Sequence, residues 1–432
     1  MTPPILPHRE RPHQGRRVLL ISPYPPARTG LAEYAAVFAA QCAARGFTVR
    51  VLSERLADST PARSPPDGVQ VDPTWNRDLH GMRRLYRAAR DDPAEVVHVS
   101  YSFTMFGGTV PGLAALFVLR ALARRDRPLV VTLHDVLGKN ELTRETLAMY
   151  HVHASPWIAR RAVGTILKFL SKTADRIMVH SETARATLER DYGVPTEKIT
   201  ITEFPGYPTT PGADGITPQP SVGAPAAPRV LYYGFLAPYK GVETLLMAYA
   251  RARALAPDRP LRLVIAGANH PRLTRDFAAT LRELATRLGA PEVSFPGYVD
   301  AGTSATLFSE SDLVVLPYLK TAGSSGTLAS AMGAGRPVVV TDLPTLVSQL
   351  NGYAKSRVVR PGDVAELADV LLSVAERRFV PRPPKPVAVG GVRRWEELVD
   401  RTAEVYNSAI AARRPDFATF TSEFAAEADA PS

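Results

Sequence analysis

Four stretches of the 432-residue chain carry residue types that can do chemistry at a phosphate-bearing ligand. An apolar run ends in Thr132-Leu133-His134-Asp135, which sets an imidazole at the carboxyl end of a strand. The loop Tyr233-Gly234-Phe235-Leu236-Ala237-Pro238-Tyr239-Lys240-Gly241 brings an ammonium to the start of a helical pattern, where diphosphate oxygens are favoured. In the stretch 317–333 a strand ends at Tyr318, a Gly/Ser loop follows and a helix starts near Gly326. Peptide N–H groups at such a start form an anion cradle, and the small Gly323, Ser324, Ser325 and Gly326 permit close approach. Gly30 stands at another helix start, after Ser22-Pro23-Tyr24-Pro25-Pro26-Ala27-Arg28-Thr29. Each has a plainer reading: a structural histidine, a surface lysine, an ordinary turn. Asp135 orients the imidazole, caps the next turn or is solvated.

Other chemistries lack their residues. The chain has no G-x-G-x-x-G, no G-x-S-x-G, no P-loop, no Cys/His set at zinc spacing and no Asp-x-Asp. His151 and His153 are a weak metal signal and read as surface residues.

Strand-like runs and helical patterns alternate around these loops. In the first half the runs are 17–23, 47–53, 95–100, 129–133, 175–180 and 198–204, with helical patterns at 31–45, 82–90, 111–124 and 156–172. The second half restarts at 229–235 and continues through 261–267, 292–299, 312–318, 336–342 and 357–360. Its helical patterns are 242–254, 273–288, 326–333 and 363–377. The fold class expected is α/β, two tandem Rossmann-like, doubly wound domains facing a cleft. The division is a disordered 1–15, an acceptor-side domain 16–205 and a Pro/Gly/Ala/Thr-rich linker 206–228 without a basic residue. A nucleotide-sugar-binding domain 229–394, a helix 395–412 and an acidic disordered tail 413–432 follow.

The net charge is +10, and residues 1–205 hold +8 of it. The first half is therefore the one to meet an anionic partner. Nucleic acid is not expected, because no recognition motif accompanies the charge. A lone cysteine, Cys42, fits a reducing compartment, and the N-terminus lacks a signal-peptide core. The apolar stretch 110–122 is too short to span a bilayer. The expected location is cytoplasmic, with peripheral contact to the inner face of a membrane as an option.

The residues resemble glycosyltransferase family 4, the retaining GT-B enzymes that use sugar nucleotides. The resemblance runs over 16–410. It rests on Gly30-Leu31-Ala32-Glu33-Tyr34, Thr132-Leu133-His134-Asp135, Ala174-Asp175-Arg176, Tyr233-Gly234 with Lys240-Gly241, and Ile265-Ala266-Gly267. Phe295-Pro296-Gly297-Tyr298-Val299, Ser311-Asp312 through Pro317, and Ser330-Ala331-Met332-Gly333 leading to Arg336-Pro337 complete it. The resemblance implies transfer of a sugar from a nucleotide-diphosphate sugar to a hydroxyl acceptor that is lipid-linked, a glycan or a small molecule. It implies no metal and no cofactor beyond that co-substrate. His134 would contact the transferred sugar and Lys240 the leaving diphosphate. Gly30 would approach the diphosphate, Tyr298 and Val299 would lie against the base, and the N–H groups of Gly326, Thr327 and Leu328 would complete the anion site. Trp395–Tyr406 looks like the helix that crosses back to the first domain.

Two departures stand out. The family pattern has two glutamates eight apart, for donor hydroxyls and ribose, where Ala322 and Ser330 stand; its basic residue after the first strand's glycine is Phe235. They motivate an alternative, a non-catalytic sugar-nucleotide-binding partner subunit. The segment 151–174 carries Arg160, Arg161, Lys168 and Lys172 among apolar residues, without an acid. It reads either as a membrane-surface helix on the acceptor side or as a packed helix with a solvated basic face.

Overall fold

The computed structural model describes residues 15–27, 29–56, 64–103, 105–124, 126–149, 154–206, 227–270, 273, 275–321, 323–385 and 394–413. Outside them lie residues 1–14, most of the expected linker, nearly all of the expected tail, His151, His153 and Ala322.

The first half runs β1 (Arg17–Ile21), α1 (Gly30–Ala44), β2 (Thr48–Glu54), β3 (Val69–Trp75), α2 (Leu79–Arg90), β4 (Val96–Tyr101), α3 (Thr109–Ala123) and β5 (Leu129–Leu133). It continues through α4 (Arg144–Met149), α5 (Pro156–Thr173), β6 (Arg176–Val179), α6 (Glu182–Tyr192) and β7 (Ile199–Ile201). The second half runs β8 (Arg229–Tyr233), a 3-10 turn (Pro238–Lys240), α7 (Val242–Leu255), β9 (Arg262–Ala266), α8 (Phe277–Arg287), β10 (Ser294–Gly297) and α9 (Ala301–Ser309). Then come β11 (Leu313–Leu316), α10 (Gly326–Gly333), β12 (Val338–Thr341), α11 (Pro344–Leu350), β13 (Ser356–Val359), α12 (Val364–Ala375) and α13 (Trp395–Ala411).

Two parallel sheets result, ordered β3-β2-β1-β4-β5-β6-β7 and β10-β9-β8-β11-β12-β13. Strand order reverses beside β1 in one sheet and beside β8 in the other, which opens a crevice at the carboxyl ends of these strands. Five elements were not expected from the sequence: β3, α4, α6, α9 and α11. The edge strand β3 alternates apolar with polar residues and contains Pro73, so it lacks an apolar run. In α6 only Thr187, Leu188 and Tyr192 are buried. There the signals are local: Ser181 caps the start through Ala184 N–H, and Gly193 ends it at φ 66°.

Strand alternation sorts the first sheet into two faces. Leu19, Ile21, Val97, Val99, Val131 and Ile177 pack under α2, α3, α5 and α6. Val18, Leu20, Val96, Val130 and Met178 pack on the other face, under α1 and α13. The last described helix thus belongs to the core of the first half. Its indole Nε1–H of Trp395 donates to Gly206 O at 2.7 Å, and Arg413 pairs with Asp175 at 2.8 Å. Its Tyr406 hydroxyl meets Nδ1 of His98 at 2.6 Å, and Nε2 of His98 meets the Thr132 hydroxyl at 2.7 Å.

Burial pushes the His98 imidazole down to about 3. In the unfolded chain it titrates near 6.5, so the fold binds fewer protons. Its stabilising contribution is complete above pH 6.5 and shrinks as pH falls toward 3, by about 1.4 kcal/mol per pH unit. Urea midpoints at pH 7.5 and 5 are expected to fall accordingly, and to fall less in His98→Gln. Tyr406→Phe leaves a buried imidazole nitrogen unpaired and is expected to cost about 1–3 kcal/mol in the same measurement.

Candidate functional site

The loops singled out in the sequence converge on the crevice from both sheets. On the first side α1 starts at the exposed Gly30, and Thr29 caps it by accepting from Ala32 N–H at 3.1 Å. One turn on, Tyr34 stands edge-on to His134, with ring centroids 4.6 Å apart. His134 follows β5 directly, and His180 follows β6. Leu133 and Val179 are in register, so the two rings stand side by side. His180 Nε2 lies 3.3 Å from His134 Nδ1, and His180 Nδ1 lies 2.7 Å from Thr202 O. Nε2 of His134 is buried without a partner. Such an atom costs about 1–3 kcal/mol until a ligand supplies a hydrogen bond. Asp135 does not orient this ring; it accepts from the Ser102 hydroxyl.

On the second side Lys240 ends its 3-10 turn with Nζ 3.6 Å above the Tyr318 ring, a cation–π contact that fixes the ammonium beside the β11 loop. Burial opposes its charge, and the phenols of Tyr318 and Tyr239 outweigh that, so its pKa moves up. Gly241 has φ 66°, and a Cβ there would sit 1.9 Å from Pro317 O. The Lys240 turn and the β11 loop can be this close only with glycine. Thr327 donates from its hydroxyl to Tyr233 O at 3.0 Å, tying α10 to the end of β8.

The anion cradle at α10 is smaller than the sequence suggested. Leu328 N–H donates to the Ser325 hydroxyl, which caps the helix, and Ser325 N–H donates to Gln349 Oε1 at 2.8 Å. These two groups are spent on holding the loop. The N–H groups of Gly326 and Thr327 have no partner among the described residues. Ser330 is 1% exposed inside α10, with its N–H against Gly206, so it does not open onto the crevice. Gln349 was not singled out from sequence, yet its amide grips Ser325 at both N–H and C=O.

The two sides touch. A Cβ on Gly323 would lie 2.5 Å from His134 O, so the β11 loop reaches across onto the histidine's own carbonyl. Across the same crevice Tyr298 hydroxyl lies 3.5 Å from Glu33 of α1, and burial raises that carboxylate. Val299, its neighbour, packs on the second core. Arg160, Arg161, Lys168 and Lys172 are elsewhere: all four are exposed along α5, which packs on α3, and none has an acidic partner among the described residues. No group of three His, Cys, Asp or Glu suited to a metal occurs among the described residues.

Residues 28–203 match the family described as Glycosyltransferase Family 4, and residues 227–377 match Glycosyl transferases group 1. The chain belongs to the family 4 glycosyltransferases. Its relatives include a D-inositol 3-phosphate glycosyltransferase of Nocardia farcinica, 29% identical over 66% of this chain and 63% of that protein. The chain thus spans less than two-thirds of that curated relative's length. Sucrose-phosphate synthase from Thermosynechococcus elongatus superposes with a TM-score of 0.63 at 17% identity, covering 92% of this chain and all of that one. HepE of Anabaena, solved with UDP-glucose, superposes at 0.61 and 16%, covering 91% and 99%. The glycosyltransferase fold here is GT-B.

Gly323→Ala is expected to push the loop off His134 and open the crevice, raising the radius of gyration in small-angle scattering with little change in thermal midpoint. Unchanged scattering would show that the loop gives way locally.

Proposed function

We propose that this glycosyltransferase moves a sugar from a nucleotide-diphosphate donor to a hydroxyl of an acceptor, with retention and without a metal. The observation that carries the reading is the convergence of Lys240, the Gly326 and Thr327 N–H groups and His134 at one crevice, closed by Gly323. The bond from the anomeric carbon to the phosphate oxygen breaks, and its electron pair leaves with the diphosphate. Lys240 and the two N–H groups stabilise that charge as it grows. The acceptor oxygen bonds to the anomeric carbon from the same face, and its proton passes to the departing phosphate. His134 holds a sugar hydroxyl, and closure at Gly323 excludes water. HepE's UDP-glucose makes uridine diphosphate sugars the first donors to test.

For the acceptor, we favour the groove of about 510 Å³ beside the crevice, lined in part by Glu141, Thr143, Arg144, Lys320 and Thr321. Two cations and several hydroxyls suit a phosphorylated polyol, in keeping with the Nocardia relative's D-inositol 3-phosphate. A lipid-borne acceptor has its own support. Val110, Leu113 and Phe117 are exposed along one face of α3, Trp157 and Ile158 along α5, and Phe117 stands 6.5 Å from Phe169 of the basic helix. This patch suits peripheral contact with an anionic membrane. No helix among the described residues is long and apolar enough to cross one. The non-catalytic reading is favoured by the buried Ser330 at the place of a family glutamate.

Lys240→Ala is expected to lower nucleotide release from a working donor about 10²-fold, as loss of one electrostatic stabiliser does. Wild-type rates in that variant would refute the site. Binding of UDP without release from any donor would favour the partner subunit. Flotation with phosphatidylglycerol vesicles, but not neutral ones, is expected for the lipid acceptor, with loss in Phe117→Ser/Trp157→Ser. No flotation at all would leave the groove.

A further inference from the structure

We infer that His180 is a positioning residue that fixes the tautomer of His134, so that His134 meets its ligand at Nε2 as a hydrogen-bond acceptor only. The inference builds on the proposed contact between His134 and the donor sugar, and it is carried by a chain of hydrogen bonds that starts at a backbone carbonyl. Thr202 O lies 2.7 Å from His180 Nδ1. A carbonyl only accepts, so the hydrogen is on Nδ1. A neutral imidazole has one such hydrogen, and Nε2 of His180 is left with a lone pair. His134 Nδ1 lies 3.3 Å from that lone pair and must be the donor. The single hydrogen of His134 is then on Nδ1, and its Nε2 is a bare lone pair. That atom is buried and finds no partner in the protein.

Both rings must be neutral for this to hold, and their surroundings keep them so. Tyr34 faces His134 at 4.6 Å and His180 at 5.5 Å, and Phe204 faces His180 at 6.3 Å. The remaining titratable neighbours are His98, and Asp135, which is turned to Ser102. Burial lowers the pKa of each ring, and for His134 the adjacent His180 and His98 add to it. Without its neighbour an imidazole favours the hydrogen on Nε2, so His180 holds His134 in the less favoured form.

The chemical consequence is selective. A lone pair at Nε2 accepts from a hydroxyl and repels a phosphate or carboxylate oxygen. His134 therefore reads a sugar hydroxyl, and it neither donates to the leaving diphosphate nor serves as a general acid. A donor with that hydroxyl replaced by hydrogen loses the contact and leaves the buried lone pair unpaired.

The test is the ring protonation pattern from two-bond 1H–15N correlation spectra of the ligand-free full chain at pH 7.5, assigned with His134→Gln and His180→Gln. The wild type is expected to carry hydrogen on Nδ1 of both rings. In His180→Phe, which removes the acceptor, His134 is expected to move its hydrogen to Nε2. In His180→Gln, whose side-chain oxygen can accept, it is expected to stay on Nδ1. With a working donor, KM should rise about tenfold in His180→Phe, the loss of one hydrogen bond, more than kcat falls, and recover in His180→Gln. A wild-type His134 with hydrogen on Nε2 overturns the inference even if the Phe variant does not fold, and so does a tautomer unchanged in that variant. The expected tautomers with no transfer from any nucleotide sugar would support the relay and sink the proposed function.

Discussion

A polar stripe runs through one face of the first sheet, and the structure is arranged around the need to satisfy it. His98, Ser100, Thr132, His134 and His180 occupy alternate positions on strands or strand ends, on a face they share with valine, leucine and methionine side chains. Buried imidazoles cost free energy unless each nitrogen is matched. Two helices from distant parts of the chain do the matching. α1 brings the rings of Tyr34 and Phe38 against the stripe, and α13 brings the Tyr406 hydroxyl. Among the imidazole nitrogens of the stripe His134 Nε2 alone is left without a partner, and it lies where the second half closes in.

The same stripe explains how a binding crevice and a core coexist. His98 and Thr132 are one or two pleats deeper than His134 and serve only the fold. At the strand ends the parity is unchanged, so His134 and His180 continue the same face up to the edge of the crevice. On the opposite side no such stripe exists. There the site is built from backbone, with Gly241 against Pro317 and Thr327 against Tyr233, and Lys240 is held by ring faces and not by a carboxylate. Among the described residues this ammonium has no carboxylate partner.

Much of this was legible in sequence. Apolar runs alternating with helical patterns disclosed both sheets, because parallel strands are buried on both faces. β3 escaped because an edge strand is half polar, and α6 because its buried face is narrow. Of the site, His134, Lys240, Gly30 and the Gly/Ser loop could be read as residues at strand-to-helix junctions. Leu328 N–H was read as part of the anion site, and the structure gives it to the helix cap. A helix start announces its N–H groups but not which of them its own cap consumes. His180 was visible only as the end of a strand. Its signal was there, since histidines directly follow two consecutive strands of a parallel sheet, but it becomes a contact only once their register is known.

The place of α13 in the first core has a consequence for synthesis. The first half has its complete strand set by Ile201, yet His98 meets Tyr406 308 residues further along the chain. Until then, part of one sheet face, with its buried imidazole, has no cover. The second half has its own core and can close while the first is still waiting. Domains usually mature in the order they emerge from the ribosome. Here the order is inverted: the domain made first is the one finished last.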